Sequence, residues 1–265
     1  MATFLVSVRT TNSFTGGEGV EIATDPPTAG DLIVFFYGLR DSDDTQCPLA
    51  SVSEPSGGQT WNHADDGTVD LADLRADMEF HLIGARWLVS DGTTLGTIFV
   101  TSNQTGRSWW LGMVTVRDAA VSDWDLIKLA FDGSASTNVA SIPSGSTGEL
   151  PAGNKVAIGI GTSRTNLENL SHDSGFTSFT DINGVAEVDA GSANYIISRL
   201  ETSATTAINL TTSEANGASR MASAVLVFAP NTGTEPESPL IASDGELTVV
   251  GGTLSVMTAS GPVPV

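Results

Sequence analysis

Strand-like segments of this sequence recur in the same order at a nearly constant separation, and that repeat limits the possible folds more than any other feature. Gly30-Asp31-Leu32-Ile33-Val34-Phe35-Phe36 opens one series and Gly153-Asn154-Lys155-Val156-Ala157-Ile158-Gly159-Ile160 opens another, each a polar turn running into an apolar strand. GGQTWNHADDG at 57–67 aligns with DSGFTSFTDING at 173–184, which sets Trp61 against Phe176 or Phe179. FHLIGARWLV at 80–89 aligns with ANYIISRLET at 193–202, matching Arg86 to Arg199 at an offset of 113 (199 − 86). Thr93-Thr94 matches Thr205-Thr206, and WLGMVTVRDA at 110–119 matches ASAVLVFAPN at 222–231, both at 112 (205 − 93 and 222 − 110). A fixed period of this kind marks a repeated structural unit.

Between these segments, clusters of Gly, Asn, Asp, Ser and Pro alternate with runs of β-branched and aromatic residues, the pattern of strands joined by turns. The expected fold is all-β: a jelly-roll-like β-sandwich over 1–230, built from two related halves at about 25–119 and 150–230 with about five strands each. The joining stretch 119–150, and especially GSASTNVASIPSGSTGELPAG at 133–153, is poor in large apolar residues and predicts an extended surface loop. Helical periodicity is nearly absent; its best candidate is Leu71 to Met78, where Leu71, Leu74 and Met78 share a face. Beyond Pro230, residues 231–239 form a polar, Pro-containing linker and 240–265 a C-terminal hairpin or arm broken at Gly251-Gly252. A hairpin that short cannot bury its own apolar face, so Leu247, Val249, Leu254 and Val256 are expected to attach to a partner.

Charge narrows the choice of partner. Lys and Arg total 11 against 31 Asp and Glu, a formal charge of -20 spread through the chain. Nucleic-acid binding draws its affinity from cations that displace counterions, so no nucleic-acid partner is expected. No apolar run approaches the ~18–20 residues of a membrane helix. MATFLVSVRT reads as a first strand and not as a secretion leader, so a soluble protein without a membrane partner is expected. Cys47 is the single cysteine, which rules out an intramolecular disulfide and a thiolate cluster.

Catalytic patterns are missing. There is no G-x-S-x-G elbow, no H-E-x-x-H and no phosphate loop, and His63, His81 and His172 stand in no triad-like setting. The expectation is therefore a protein that is not an enzyme and has no cofactor. Asp65 and Asp66 beside Trp61 are the pair of carboxylates best placed to serve a sugar. Asp41, Asp43 and Asp44 are a cluster of hard oxygen ligands that makes calcium possible, although Gln46 and Val52 stand where an EF-hand needs Gly and Glu. Trp61, Trp109 and Trp110 are the candidate binding aromatics, since neighbours in a strand face opposite sides and one of the Trp109-Trp110 pair faces outward.

The succession GDLIVFF, SGGQTWNHADDG, FHLIGARWLVSDG, TTLGTIFVTSN and WLGMVTVRDA, followed by a second series ending SAVLVFAP, resembles β-sandwich accessory virion proteins of tailed bacteriophages. These are commonly labelled head-decoration, head-fibre or minor tail proteins. Where such proteins often carry a Pro-x-Gly-Trp turn, this chain has Pro55-Ser56-Gly57-Gly58-Gln59-Thr60-Trp61, and the second series keeps no Trp there. The resemblance implies a non-enzymatic, multi-copy component of a virion assembled in the host cytoplasm. Its expected partners are the major capsid protein or other virion proteins and further copies of itself. A host-surface glycan is the expected ligand if the protein instead belongs to a tail or head fibre.

Overall fold

Every secondary-structure element among the described residues is a strand or an isolated bridge, and the strands pair antiparallel throughout. The computed structural model describes residues 2–11, 18–21, 27–40, 49–53, 59–63, 74–77, 81–95, 97–102, 108–133, 138–163, 170–173, 175–179, 194–215, 217–218, 220–231, 241–242, 245–250, 253–258 and 261–264. Contacts divide the chain into Met1–Pro230 and Asn231–Val265.

The first nine strands are β1 (Thr3–Thr11), β2 (Glu18–Glu21), β3 (Leu32–Arg40), β4 (Leu49–Ser53), β5 (Asn62–His63), β6 (Leu74–Asp77), β7 (His81–Val89), β8 (Thr97–Ser102) and β9 (Ser108–Arg117). Eight more follow before Asn231: β10 (Trp124–Gly133), β11 (Ser141–Pro143), β12 (Lys155–Ser163), β13 (Leu170–His172), β14 (Thr177–Ser178), β15 (Asn194–Thr202), β16 (Thr211–Glu214) and β17 (Met221–Pro230). A large sheet ordered β1-β9-β3-β7-β5, with β6 also on β7, accompanies a small sheet β2-β8-β4. A second large sheet, β10-β17-β12-β15-β14, accompanies a small sheet β11-β16-β13. In both groups the first strand pairs with the last, the second with the next to last, and the third with the strand before that. One row across the first large sheet runs Val6, Val114, Val34, Trp87, Asn62, and one across the second runs Leu129, Leu226, Ile158, Arg199, Thr177.

The two large sheets share one core. Leu32, Val34, Phe36, Ile83, Ala85, Val114 and Val116 come from the first, and Val156, Ile158, Ile160, Ile197, Leu226 and Phe228 from the second. The alternate residues of the second sheet, Ala157, Val225 and Val227, face a separate core with Leu150, Ile208 and Leu210. Burial on both faces explains why β12 and β17 read as near-continuous apolar runs without alternation. β10, at an edge, alternates instead, with Asp125, Lys128 and Asp132 exposed and a bulge between Leu126 and Lys128. Charges and bulges are how sheet edges avoid unwanted pairing.

Two expectations need correction. Leu74–Asp77 is strand β6 on the side of β7 and not part of a helix over 71–78; at about two turns such a helix is too short to form without help, and the open edge of β7 supplies ladder partners. The stretch 119–150 is not a loop either, because it contains β10 and β11. After Pro143 it continues as a strap along 205–210: Ser144, Thr147 and Leu150 donate their amides to the carbonyls of Leu210, Ile208 and Thr205. Ser144 and Thr147 are buried, and their hydroxyls accept the Leu210 and Ile208 amides at 3.1 and 2.9 Å. Gly145 and Gly148, at φ of 80° and 72°, follow each hydroxyl residue and provide the left-handed backbone that lets the strap turn every third residue.

Residues after Asn231 form one meander, β18 (Ile241–Ala242), β19 (Gly245–Val250), β20 (Thr253–Thr258) and β21 (Gly261–Pro264), so the expected hairpin is part of a four-stranded sheet.

Candidate functional site

Each large sheet begins a central strand with a buried charge, and the two charges are opposite. Asp31, 2% exposed, accepts the Thr28 amide at 2.8 Å and takes a two-pronged ion pair from Arg117, with Nη2 at 2.7 Å from one carboxylate oxygen and Nε at 2.9 Å from the other. Lys155, also 2% exposed, turns its ammonium onto the carbonyls of Pro151 and Gly153 at 2.6 Å each. The turn before Asp31 also holds the crossing from β9 to β10, because Trp124 donates its indole N–H to the Gly30 carbonyl at 3.2 Å. A Cβ on Gly30 would stand 3.0 Å from the Val121 carbonyl oxygen.

Behind the second large sheet lies a buried polar cluster. His172 on β13 places Nδ1 in a short hydrogen bond with the Ser198 hydroxyl on β15, and the Phe176 ring meets the imidazole edge-on at 6.2 Å. Thr212 donates to Ser223 at 2.9 Å, and Ser223 to the Leu210 carbonyl at 3.3 Å. Gly161 makes this space: a Cβ there would stand 2.4 Å from Thr212 and 2.9 Å from His172 Nε2. Burial pushes the imidazole down to about 3, so it is neutral at physiological pH. Its Nε2 has no hydrogen-bond partner among the described residues. The adjacent Asp173 turns its carboxylate to the Thr211 amide at 3.2 Å. Ser198 is fully buried and His172 half-buried, and their contact ties β13 to β15.

Of the aromatics expected to bind ligand, Trp61 is 5% exposed and packs on Phe35 with ring centroids 6.2 Å apart. It fills the interior beside Phe35 and Tyr37 and is not a solvent-facing platform, because a large ring next to an apolar sheet gains more by burial than by stacking on a solute. Trp109 and Trp110 are consecutive in β9, opposite Leu39 and Gly38 of β3; only their backbone is among the described features. Asp41, Asp43, Asp44, Cys47, Asp65 and Asp66 lie outside the described residues. Among the described residues no cluster of His, Cys, Asp and Glu is grouped to hold a metal ion, and no helix is long and apolar enough to cross a membrane.

The arm residues fall together. Leu247 pairs with Val256 and Val249 with Leu254 across β19 and β20, which puts all four at positions of one face of that ladder. In the Met1–Pro230 unit, the exposed charged side chains among the described residues are Asp91, Asp123, Asp125, Asp132, Glu149, Asp173 and Glu201 against Lys128 alone. The other described basic side chains are withdrawn from solvent to varying degree, as with Lys155 on its carbonyls and Arg199 over the Phe4 ring at 4.1 Å.

The His172–Ser198 contact and the strap were not anticipated. The strap had a readable signal in hydroxyl-glycine pairs three residues apart at Ser144-Gly145 and Thr147-Gly148, whereas no spacing in the sequence joins His172 to Ser198. Comparison with protein-family models, with curated proteins and with solved structures gave no match.

Proposed function

We propose that this chain is a non-enzymatic accessory structural protein of a virus particle, decorating the capsid through its C-terminal sheet or one end of its sandwich. The observation that carries the reading is the strand order. Each group pairs its strands as nested hairpins across a large and a small sheet, and we read that order as jelly-roll wiring, an architecture frequent in capsid and lectin domains. Its occurrence twice in one chain supports a duplication, with each half a jelly roll of its own.

Ladder register sharpens the correspondence. Val34 lies between Trp87 and Val114, and Ile158 between Arg199 and Leu226. Val34 and Ile158 both enter the shared core, so the matching offsets are 124 (158 − 34) and 112 (199 − 87, 226 − 114). On this register the Arg199 counterpart is Trp87, and Gly30 matches Asn154. A one-residue slip would exchange the faces of the strands. The halves then run over about 2–117 and 124–230, wider than the sequence repeat alone.

The separate Asn231–Val265 unit supports attachment. Its single sheet, with four apolar residues on one face of one ladder, needs a second layer to cover that face. The anionic exposed surface suits a partner with cationic patches. The test is deletion of 231–265 followed by purification of particles. Loss of the protein from capsids is expected, and unchanged incorporation would refute attachment through this unit.

A further inference from the structure

The two large sheets meet in a way that can be exchanged end for end. Gly112 on β9 faces Ile197 on β15, where a Cβ would come within 2.7 Å of the isoleucine Cδ1. Trp87 on β7 stacks edge-on against Phe228 on β17 at 5.5 Å. In the duplication, β9 corresponds to β17 and β7 to β15, so β9 against β15 and β7 against β17 are the same pair of strands with the halves interchanged, although the residues that meet differ: Gly112 and Ile197 correspond to Ala224 and Ala85. At the borders Phe4 on β1 packs on Phe179 and Arg199 beside β14 and β15, while β10 lies against β6. A contact in which patch i meets j and j meets i is the mark of a two-fold, isologous interface.

From this we infer, resting on the duplication reading, that the inner face of the second half is a self-complementary surface whose fitting partner is a second copy of the same face. Its residues are Ile158, Ile160, Ile197, Leu226 and Phe228. In such a pair Ile197 would meet Ala224, the counterpart of Gly112, whose methyl takes the place from which a Cβ comes within 2.7 Å of the isoleucine Cδ1, so the free end of that side chain has to turn aside. Arg199 would lie at the Phe228 ring in place of Trp87, repeating the cation–aromatic contact it now makes with Phe4. The first half is less suited to pairing with itself, because Ala85 would stand where Ile197 now fills the space over Gly112. The crossing at 118–123 acts as a tether that holds unlike halves together and so withholds this face from other copies.

The test uses the whole chain with a protease site placed within 119–122 and cut after folding. The two fragments are expected to stay together at the mass of the intact chain in native mass spectrometry. After unfolding and refolding of the cut protein, a dimer of the C-terminal fragment is expected beside the original pair, and Ile197→Asp should abolish that dimer. Fragments that part on cleavage overturn the inference. So does a C-terminal fragment that returns only to its original partner, stays monomeric or aggregates. Particle incorporation of the uncut protein is read separately, so the virion reading and this one can fail independently.

Discussion

Gly84 and Tyr37 face each other across β7 and β3, and the ring occupies the space where a side chain on residue 84 would begin. A Cβ there would stand 2.0 Å from the ring's Cζ, and the ring is fully buried and cannot swing out. Gly84→Ala is therefore expected to cost about 1–3 kcal/mol in chemical denaturation, the usual penalty for overpacking. Tyr37→Leu in the same chain should recover part of it; no recovery would mean that the loss is not steric. In the second large sheet a glycine likewise stands opposite a large residue, Gly161 opposite Ile196. His172 gives a second residue-scale outcome. The folded imidazole binds its proton only near pH 3, whereas the unfolded one does so near the ordinary histidine value of 6.5. Between those values the unfolded chain holds more protons, so stability rises with pH by at most about 1.4 kcal/mol per unit from this group. His172→Gln should flatten the difference in urea midpoint between pH 7 and pH 5 relative to the parent. Equal slopes in the two proteins would remove His172 as the cause.

Elements show where the sequence was legible and where it was not. β3, β7, β12, β15 and β17 were readable because burial on one or both faces forces apolar residues into runs that no turn could hold. β10 does not stand out in the sequence although it contains Leu126, Ile127, Leu129 and Phe131, because the edge charges Asp125, Lys128 and Asp132 interrupt its pattern. β6 is hidden inside the best helical candidate, 71–78, because four residues with two charges carry no strand alternation strong enough to read and owe their conformation to β7. The strap failed for a different reason: Ser, Thr and Gly are read as loop formers, yet here hydroxyls replace ladder partners for buried amides. Ser144→Ala and Thr147→Val should each destabilise by about 1–3 kcal/mol, the cost of a buried amide left unpaired. Hydrogen exchange should accelerate at Leu210 for the first and at Ile208 for the second. Protection unchanged at both amides would show that the hydroxyls are incidental. At the candidate site, alternation broken at Gly251-Gly252 marks Leu247, Val249, Leu254 and Val256 as apolar positions of a hairpin or arm without giving their cross-strand partners, and Trp61 stands out as an aromatic without its neighbour Phe35, which only the tertiary fold supplies.

For the whole molecule, the balance of 11 basic against 31 acidic residues makes the folded state repel itself. Raising sodium chloride from low to moderate concentration should raise the melting temperature, as screening weakens that repulsion. A melting temperature that stays flat or falls would mean that local ion pairs outweigh the net field. The nested strand order also governs synthesis. Thr3 pairs with Arg117, and Trp124 with Pro230. As the chain leaves the ribosome, the outermost pairing of the first large sheet, β1 with β9, cannot close until β9 has been made, and contacts of such long sequence separation form slowly. When it does close, its inner face is apolar and its partner sheet does not yet exist. The nascent protein must keep that face from neighbouring chains for as long as translation of 124–230 takes, so the interval between completing β9 and completing β17 is the stage of its life most open to misassembly.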